Sequence, residues 1–276
     1  MCSSDLEDTE SGLTHNFYAK VLDSIKRTSE EHGYDITFVN NSSYSGGRKL
    51  SYLEHCRYRN FDGVAIVCVD FDDPEIQEVI ASDIPTITLD YYGTACDSVI
   101  SDNYNGIKEL VRFVYEQGHR RIAYIHGTHS HVTDERIRGF YDICGELGIT
   151  PPADYVLESP YRDTMAAHLK TDALFRLTHP PTCILYPDDF AAIGGLNSIY
   201  QKNMRVPDDV SIIGFDGTEI ARYISPTLTT YVQNTDRLGW EMAVRLLELI
   251  EQGQRSDPKT IIVPGFVFHG DSVGLI

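Results

Sequence analysis

The residues best suited to act on a small molecule stand where apolar runs end. Residues 206–219 read V-P-D-D-V-S-I-I-G-F-D-G-T-E. The Pro-Asp-Asp turn leads into a short β-branched run, 210–213, of the kind buried in a parallel sheet. The pattern predicts that this strand stops at Gly214, with Phe215 and the carboxylate of Asp216 just beyond. Open α/β sheets bind ligands at the carboxyl ends of their strands, so Asp216 is expected on the wall of a small-molecule cleft. A second concentration of chemistry is the H-G-T-H-S-H run carrying His126, His129 and His131. It offers imidazoles without a paired carboxylate and reads as a polar rim loop, so no metal site is expected. Neither G-x-S-x-G nor a phosphate-cradling glycine loop is present, and catalysis has no foothold. No cofactor is expected either.

The totals narrow the partners. A formal charge of −18 and a pI near 4.8 argue against these residues gripping a phosphate backbone themselves, which takes clustered Lys and Arg. With 276 residues, 42% of them hydrophobic, the chain can form two medium lobes. No apolar run approaches the roughly 18 residues of a membrane helix, and no signal peptide opens the chain, so a cytosolic location with no membrane partner is expected. Cys2, Cys56, Cys68, Cys96, Cys144 and Cys183 lack paired spacing; Cys68 and Cys183, inside apolar runs, read as small buried hydrophobes.

These residues are carried by an alternation of strands and helices. From Phe17, the spacing of Phe17, Val21, Leu22 and Ile25 predicts a helix face, ended by Gly33. Strands follow over 36–39, 63–69, 85–89, 98–100, 122–125, 155–157, 183–186, 210–213 and 259–263. Helices are expected over 50–58, 74–81, 104–117, 136–147, 165–177, 190–201 and 238–252. Short β/α connections indicate parallel sheets, and about ten strands exceed what one compact sheet would hold comfortably. The fold class is therefore α/β with two Rossmann-like lobes.

Five motifs, in order and in register, resemble the effector-binding region of LacI/GalR-type transcriptional repressors: G-H-R-R-I-A-Y-I-H-G (118–127), R-I-R-G-F (136–140), D-D-F-A-A-I-G (188–194), V-P-D-D-V-S-I-I-G-F-D (206–216) and S-P-T-L-T-T-Y (225–231). The resemblance runs from about Gly12 onward. It implies the fold of type I periplasmic sugar-binding proteins: an N-terminal lobe of residues 1–101 plus 235–262 and a C-terminal lobe of 102–234 plus 263–276, joined by a three-crossover hinge. Effector would bind between the lobes and close them, and in a homodimer this would change operator DNA binding by a helix-turn-helix headpiece. Residues 1–10 do not read as the apolar strand that opens this region in the family, and no headpiece motif is visible. The expectation is a sensor and dimerisation part of a longer regulator. The alternative of the same fold is the solute-binding protein of an ABC-type transporter, which would carry an export signal.

The resemblance also implies the site. Arg136, opening R-x-x-G-F, would grip sugar hydroxyls or a carboxylate with its planar fork; the competing reading is a surface Arg at a helix start. Asp216 would pair with ligand hydroxyls. Asp188 stands where the family commonly has Asn, which changes a donor-acceptor into an acceptor. Asp189 is expected to cap the helix that follows. Asp90, ending I-T-L-D, would reach ligand, and the Tyr161 ring would cover an apolar sugar face. Thr14, His15 and Phe17 would face the cleft from the first lobe, with Phe17 equally suited to the helix core. Gln233 would lie at a crossover and touch the ligand.

Overall fold

The computed structural model describes residues 15–39, 44–45, 48–253 and 257–276. The chain forms two compact units, residues 1–101 with 234–263 and residues 102–233 with 264–276, and passes between them three times. Both are α/β, with parallel sheets.

In the first unit, strands β3 (Val64–Ile66), β4 (Thr86–Leu89), β5 (Asp97–Ser101) and β11 (Thr260–Val263) form a parallel sheet in the order β11-β5-β4-β3. A small antiparallel hairpin, β1 (Tyr44–Ser45) and β2 (Arg48–Lys49), stands apart from it. Period-two alternation sorts the strand residues between two cores. Val64 and Ile66 pack with helices α2 (Tyr52–Arg59) and α3 (Pro74–Ala81), whereas Val67, Ile87 and Leu89 pack with α1 (Asn16–Glu31) and α9 (Thr235–Gln252). A reciprocal capping box, Ser51 with Glu54, starts α2, and Asp73 caps α3 ahead of Pro74. Buried Arg245 of α9 pairs with buried Asp97 of β5, and the second Asp97 oxygen accepts from Lys259 N at 3.0 Å.

Residues 36–39, expected as a strand, have no ladder partner among the described residues, and Phe38 is half exposed. Cys68, expected inside a strand, lies past the end of β3 with φ 55° and is only half-buried.

In the second unit, β6 (Ile122–His126), β7 (Val156–Glu158), β8 (Cys183–Leu185), β9 (Ser211–Asp216), β10 (Thr229–Val232) and β12 (Phe266–Phe268) form one sheet, in the order β12-β10-β9-β8-β6-β7. Only β12 runs antiparallel. Alternation is again clean. Ala123, Ile125, Ile184 and Ile212 face a core with α6 (Thr164–Phe175) and α7 (Asp189–Gln201). Ile122, Tyr124, Cys183, Leu185 and Ile213 face the other core, with α4 (Asn103–Glu116) and α5 (His131–Glu146).

The chain goes from β6 out to β7 and returns to β8 on the other side of β6. This reversal is the topological switch point where parallel sheets open a crevice at their carboxyl ends. The strand expected to stop at Gly214 in fact continues through Gly214 and Phe215 to Asp216, because β10 pairs alongside as far as Val232. The antiparallel β12 and the parallel β10 had no periodic signal of their own.

Candidate functional site

Five of the nine expected site residues lie in the second unit around that switch point: Arg136, Tyr161, Asp188, Asp216 and Gln233. Arg136 is buried on α5, which starts a full turn and more before the expected residue 136 because Ser130 caps it at Thr133 N. The reading of Arg136 as a surface cation at a helix start is therefore excluded. Its Nε donates to Asn103 Oδ1 at 2.8 Å and its Nη1 to the Pro187 carbonyl at 3.0 Å. The guanidinium carbon stands 3.6 Å from the centroid of the Phe215 ring and 5.9 Å from that of Tyr161. A cation so held is oriented before any ligand arrives. Nη2 is 3.8 Å from Asp216 Oδ1.

Asp216 ends β9 with φ 96°, in the left-handed region that non-glycine residues rarely adopt. Its Oδ1 accepts from Gln233 Nε2 at 2.7 Å. Because a carboxylate only accepts, this bond fixes the Gln233 amide with its nitrogen toward Asp216. Gln233 Oε1 is left as a buried acceptor with no partner among the described residues. Burial pushes the Asp216 pKa above the usual carboxylate range, opposed by Arg136 and by the Gln233 bond.

Asp188 is buried as well, and it rather than Asp189 is the N-cap of α7. Its Oδ1 accepts from Ala191 N and its Oδ2 from Arg162 N, at 2.8 and 2.7 Å. Burial, then the charge of Asp216, raises its pKa to about 6. Asp189, set aside as a cap on the sequence, is the fully buried first residue of α7 and bonds three donors from two other segments. The expectation that exchanged these two roles misjudged the helix start by one residue. Tyr161 packs its ring over Gly127, where a Cβ would collide with it, and its hydroxyl shares a 2.8 Å hydrogen bond with Thr133 Oγ1. Burial raises its pKa.

Two contributors gave no periodic or motif signal: Asn103, which orients Arg136, and Arg162, whose guanidinium lies 4.5 Å from the Phe190 centroid; the Phe215 ring under Arg136 stood in the G-F-D motif without being read as part of the site. Phe215 was findable as the neighbour of Asp216, and Arg162 as the neighbour of Tyr161.

In the first unit, Asp90 follows β4 with φ 58° and accepts from Ser101 N at 3.1 Å, which fits a strand-end carboxylate that also closes a turn. The His15 ring sits 4.9 Å from that of Tyr18 at the start of α1. Phe17 is a correction: it is buried in the core with Val21, Ile25 and Leu238, because its position on α1 continues that helix's inward face. Thr14 lies outside the described residues. Of the histidine run, His129 is exposed and 3.4 Å from Asp134, and no group of three metal-ligating side chains occurs among the described residues.

Comparison with known proteins identifies the family. Residues 111–273 match the family described as a periplasmic binding protein-like domain. The HTH-type transcriptional repressor PurR of Yersinia enterocolitica is 30% identical over 255 residues, spanning 90% of this chain and 73% of the relative. PurR of Vibrio cholerae is 28% identical over 246 residues, 86% and 71% of the two chains. A LacI-family regulatory protein of Chloroflexus aggregans superposes with a TM-score of 0.83 at 22% identity, over 99% of this chain and 97% of that one. A LacI family regulator of Enterococcus faecalis, solved with bound ribose, gives 0.79 at 24% identity, over 96% of each. The chain belongs to the periplasmic binding protein-like family and is the effector-binding region of a LacI/GalR-type transcriptional regulator.

Proposed function

We propose that Arg136, Asp216, Gln233, Tyr161 and Asp188 form an effector-contacting wall for a small, neutral, hydroxyl-rich ligand of the carbohydrate type, and that its binding alters operator recognition by the regulator. The observation that carries this is the pre-set pair of Arg136, only 3% exposed and held by Asn103, Pro187 and Phe215, with Asp216 beside it. Hydroxyls donate and accept together, so they can satisfy the buried Gln233 acceptor and the Asp216 carboxylate while accepting from Arg136. An anion would meet acceptors first. The ribose bound by the Enterococcus faecalis regulator supports the same class.

The protein acts as a binding device rather than an enzyme, in the cytosol, with DNA contacts made by residues other than these. A homodimer is supported by an apolar surface on the second unit. Met165 and Tyr200 border one groove between α6 and α7, and Leu169 on α6 is also exposed. Tyr200 bonds the Ser225 carbonyl, close in sequence to Tyr223, which is 78% exposed.

A thermal-shift screen of sugars, sugar phosphates and nucleobases tests the site. A neutral sugar should stabilise the protein, and Arg136→Ala and Asp216→Ala should each abolish that stabilisation. Stabilisation that persists in both folded variants refutes the wall.

A further inference from the structure

The Asp189 carboxylate has no place in the ligand-facing set, yet it is fully buried and holds four hydrogen-bonding atoms in a chain. Its Oδ2 accepts from Thr218 N at 2.6 Å and from Thr218 Oγ1 at 2.8 Å. Its Oδ1 accepts from Thr230 Oγ1 at 2.6 Å, and that hydroxyl in turn accepts from Gly217 N at 3.3 Å. Every backbone amide that follows Asp216 in this turn is thus tied, directly or through Thr230, to one carboxylate. The sheet is notched to admit it. A Cβ at Gly214 would collide with Asp189 Oδ1, so the glycine in G-F-D is the space in which this carboxylate sits.

The turn it holds is a costly one. Asp216 at φ 96° and Gly217 at φ 68° are consecutive left-handed residues, and a non-glycine residue persists there only when its surroundings over-determine it. Side-chain direction follows from backbone conformation, so the aim of the Asp216 carboxylate depends on that turn staying in place.

We propose that Asp189 is a positioning residue: its carboxylate latches Gly217 and Thr218 and thereby keeps Asp216 aimed at Arg136 and Gln233. The proposal rests on the reading of Asp216 as an effector contact, and it makes Asp189 the support of that contact rather than a helix cap.

The test reads the far end of the arrangement and needs no effector. Gln233 Nε2 donates to Asp216, so its side-chain amide resonance in a proton–nitrogen NMR spectrum, assigned by its loss in Gln233→Met, reports where Asp216 points. Two variants loosen the latch: Asp189→Ala, and the near-isosteric Thr218→Val, which removes one donor and preserves packing. In both, with folding verified by circular dichroism, the resonance should move toward the position of exposed glutamine amides. Asp189→Asn keeps an oxygen for both Thr218 donors and should retain the wild-type position. An unmoved Gln233 resonance in folded Thr218→Val or Asp189→Ala overturns the proposal, as does an Asp189→Asn shift as large as that of the alanine variant. Failure of the site reading is separately visible, since Asp216→Ala would then leave sugar stabilisation intact whatever the Gln233 resonance does.

Discussion

Asp188 offers a quantitative test, because its two opposing contributions have different pH dependences. Its pKa in the fold is about 6, against an ordinary 3.8, chiefly through burial and secondarily through Asp216. The fold therefore holds the proton more tightly than the unfolded chain does. The corresponding stabilisation is complete below about pH 4 and is lost as pH rises through about 6. At about 1.4 kcal/mol per pK unit, the loss comes to about 3 kcal/mol. Above pH 6 the protein carries a buried charge at that cost.

Asp188→Asn removes the titration but leaves one acceptor oxygen where the structure uses two, so either Ala191 N or Arg162 N loses its partner at about 1–3 kcal/mol. The variant should be the less stable protein at pH 4 and should match or exceed wild type at pH 7. The difference between them should rise by about 3 kcal/mol across that interval. Urea unfolding by circular dichroism at half-unit pH steps measures it, with hydrogen exchange of the β8 and β9 amides reporting the second unit specifically. A difference that stays flat from pH 4 to 7 would refute the assignment of a strained, buried charge to Asp188.

Two further outcomes concern the first unit. Asp97→Ala leaves buried Arg245 paired with Glu248 but removes its bond to β5 and the acceptor of Lys259 N, and should destabilise by about 1–3 kcal/mol, part of which the added Arg245→Met should recover in urea unfolding. Phe17→Ala should cost about 3–5 kcal/mol by opening the α1 core, and the sugar that protects wild type should still raise the melting temperature of the variant by a similar increment.

How far the sequence reveals the molecule depends on which interactions are local. The strands 85–89 and 183–186 and the helices 74–81 and 190–201 were readable because apolar period, caps and glycine stops lie within a few residues. The stretch 36–39 and strand β10 were not, since the first has no ladder partner among the described residues and the second is made a strand by β9 alongside it. The site divides in the same way. Asp216 and Arg136 stood in motifs, and the position of Asp216 at a strand end was physical in itself. Asn103, remote in sequence from Arg136, and the exchange of roles between Asp188 and Asp189 depend on tertiary placement and on a one-residue helix boundary, which composition does not encode.

The threefold passage of the chain between units has a consequence for the order of folding. Strand β11 completes the first sheet by pairing with β5, and the Lys259–Asp97 bond fastens it there, but residues 102–233 are made in between. Strand β12 in turn reaches β10 only after residues 234–263. During synthesis neither unit can close its sheet before most of the other has emerged. Collapse of the intervening segment shortens the effective loop that β11 must close, which lowers the entropic cost of that pairing. The two units are thus coupled in their formation: a substitution that slows condensation of β6, β8 and β9 should also delay protection of β5 amides in the other sheet, through connectivity alone.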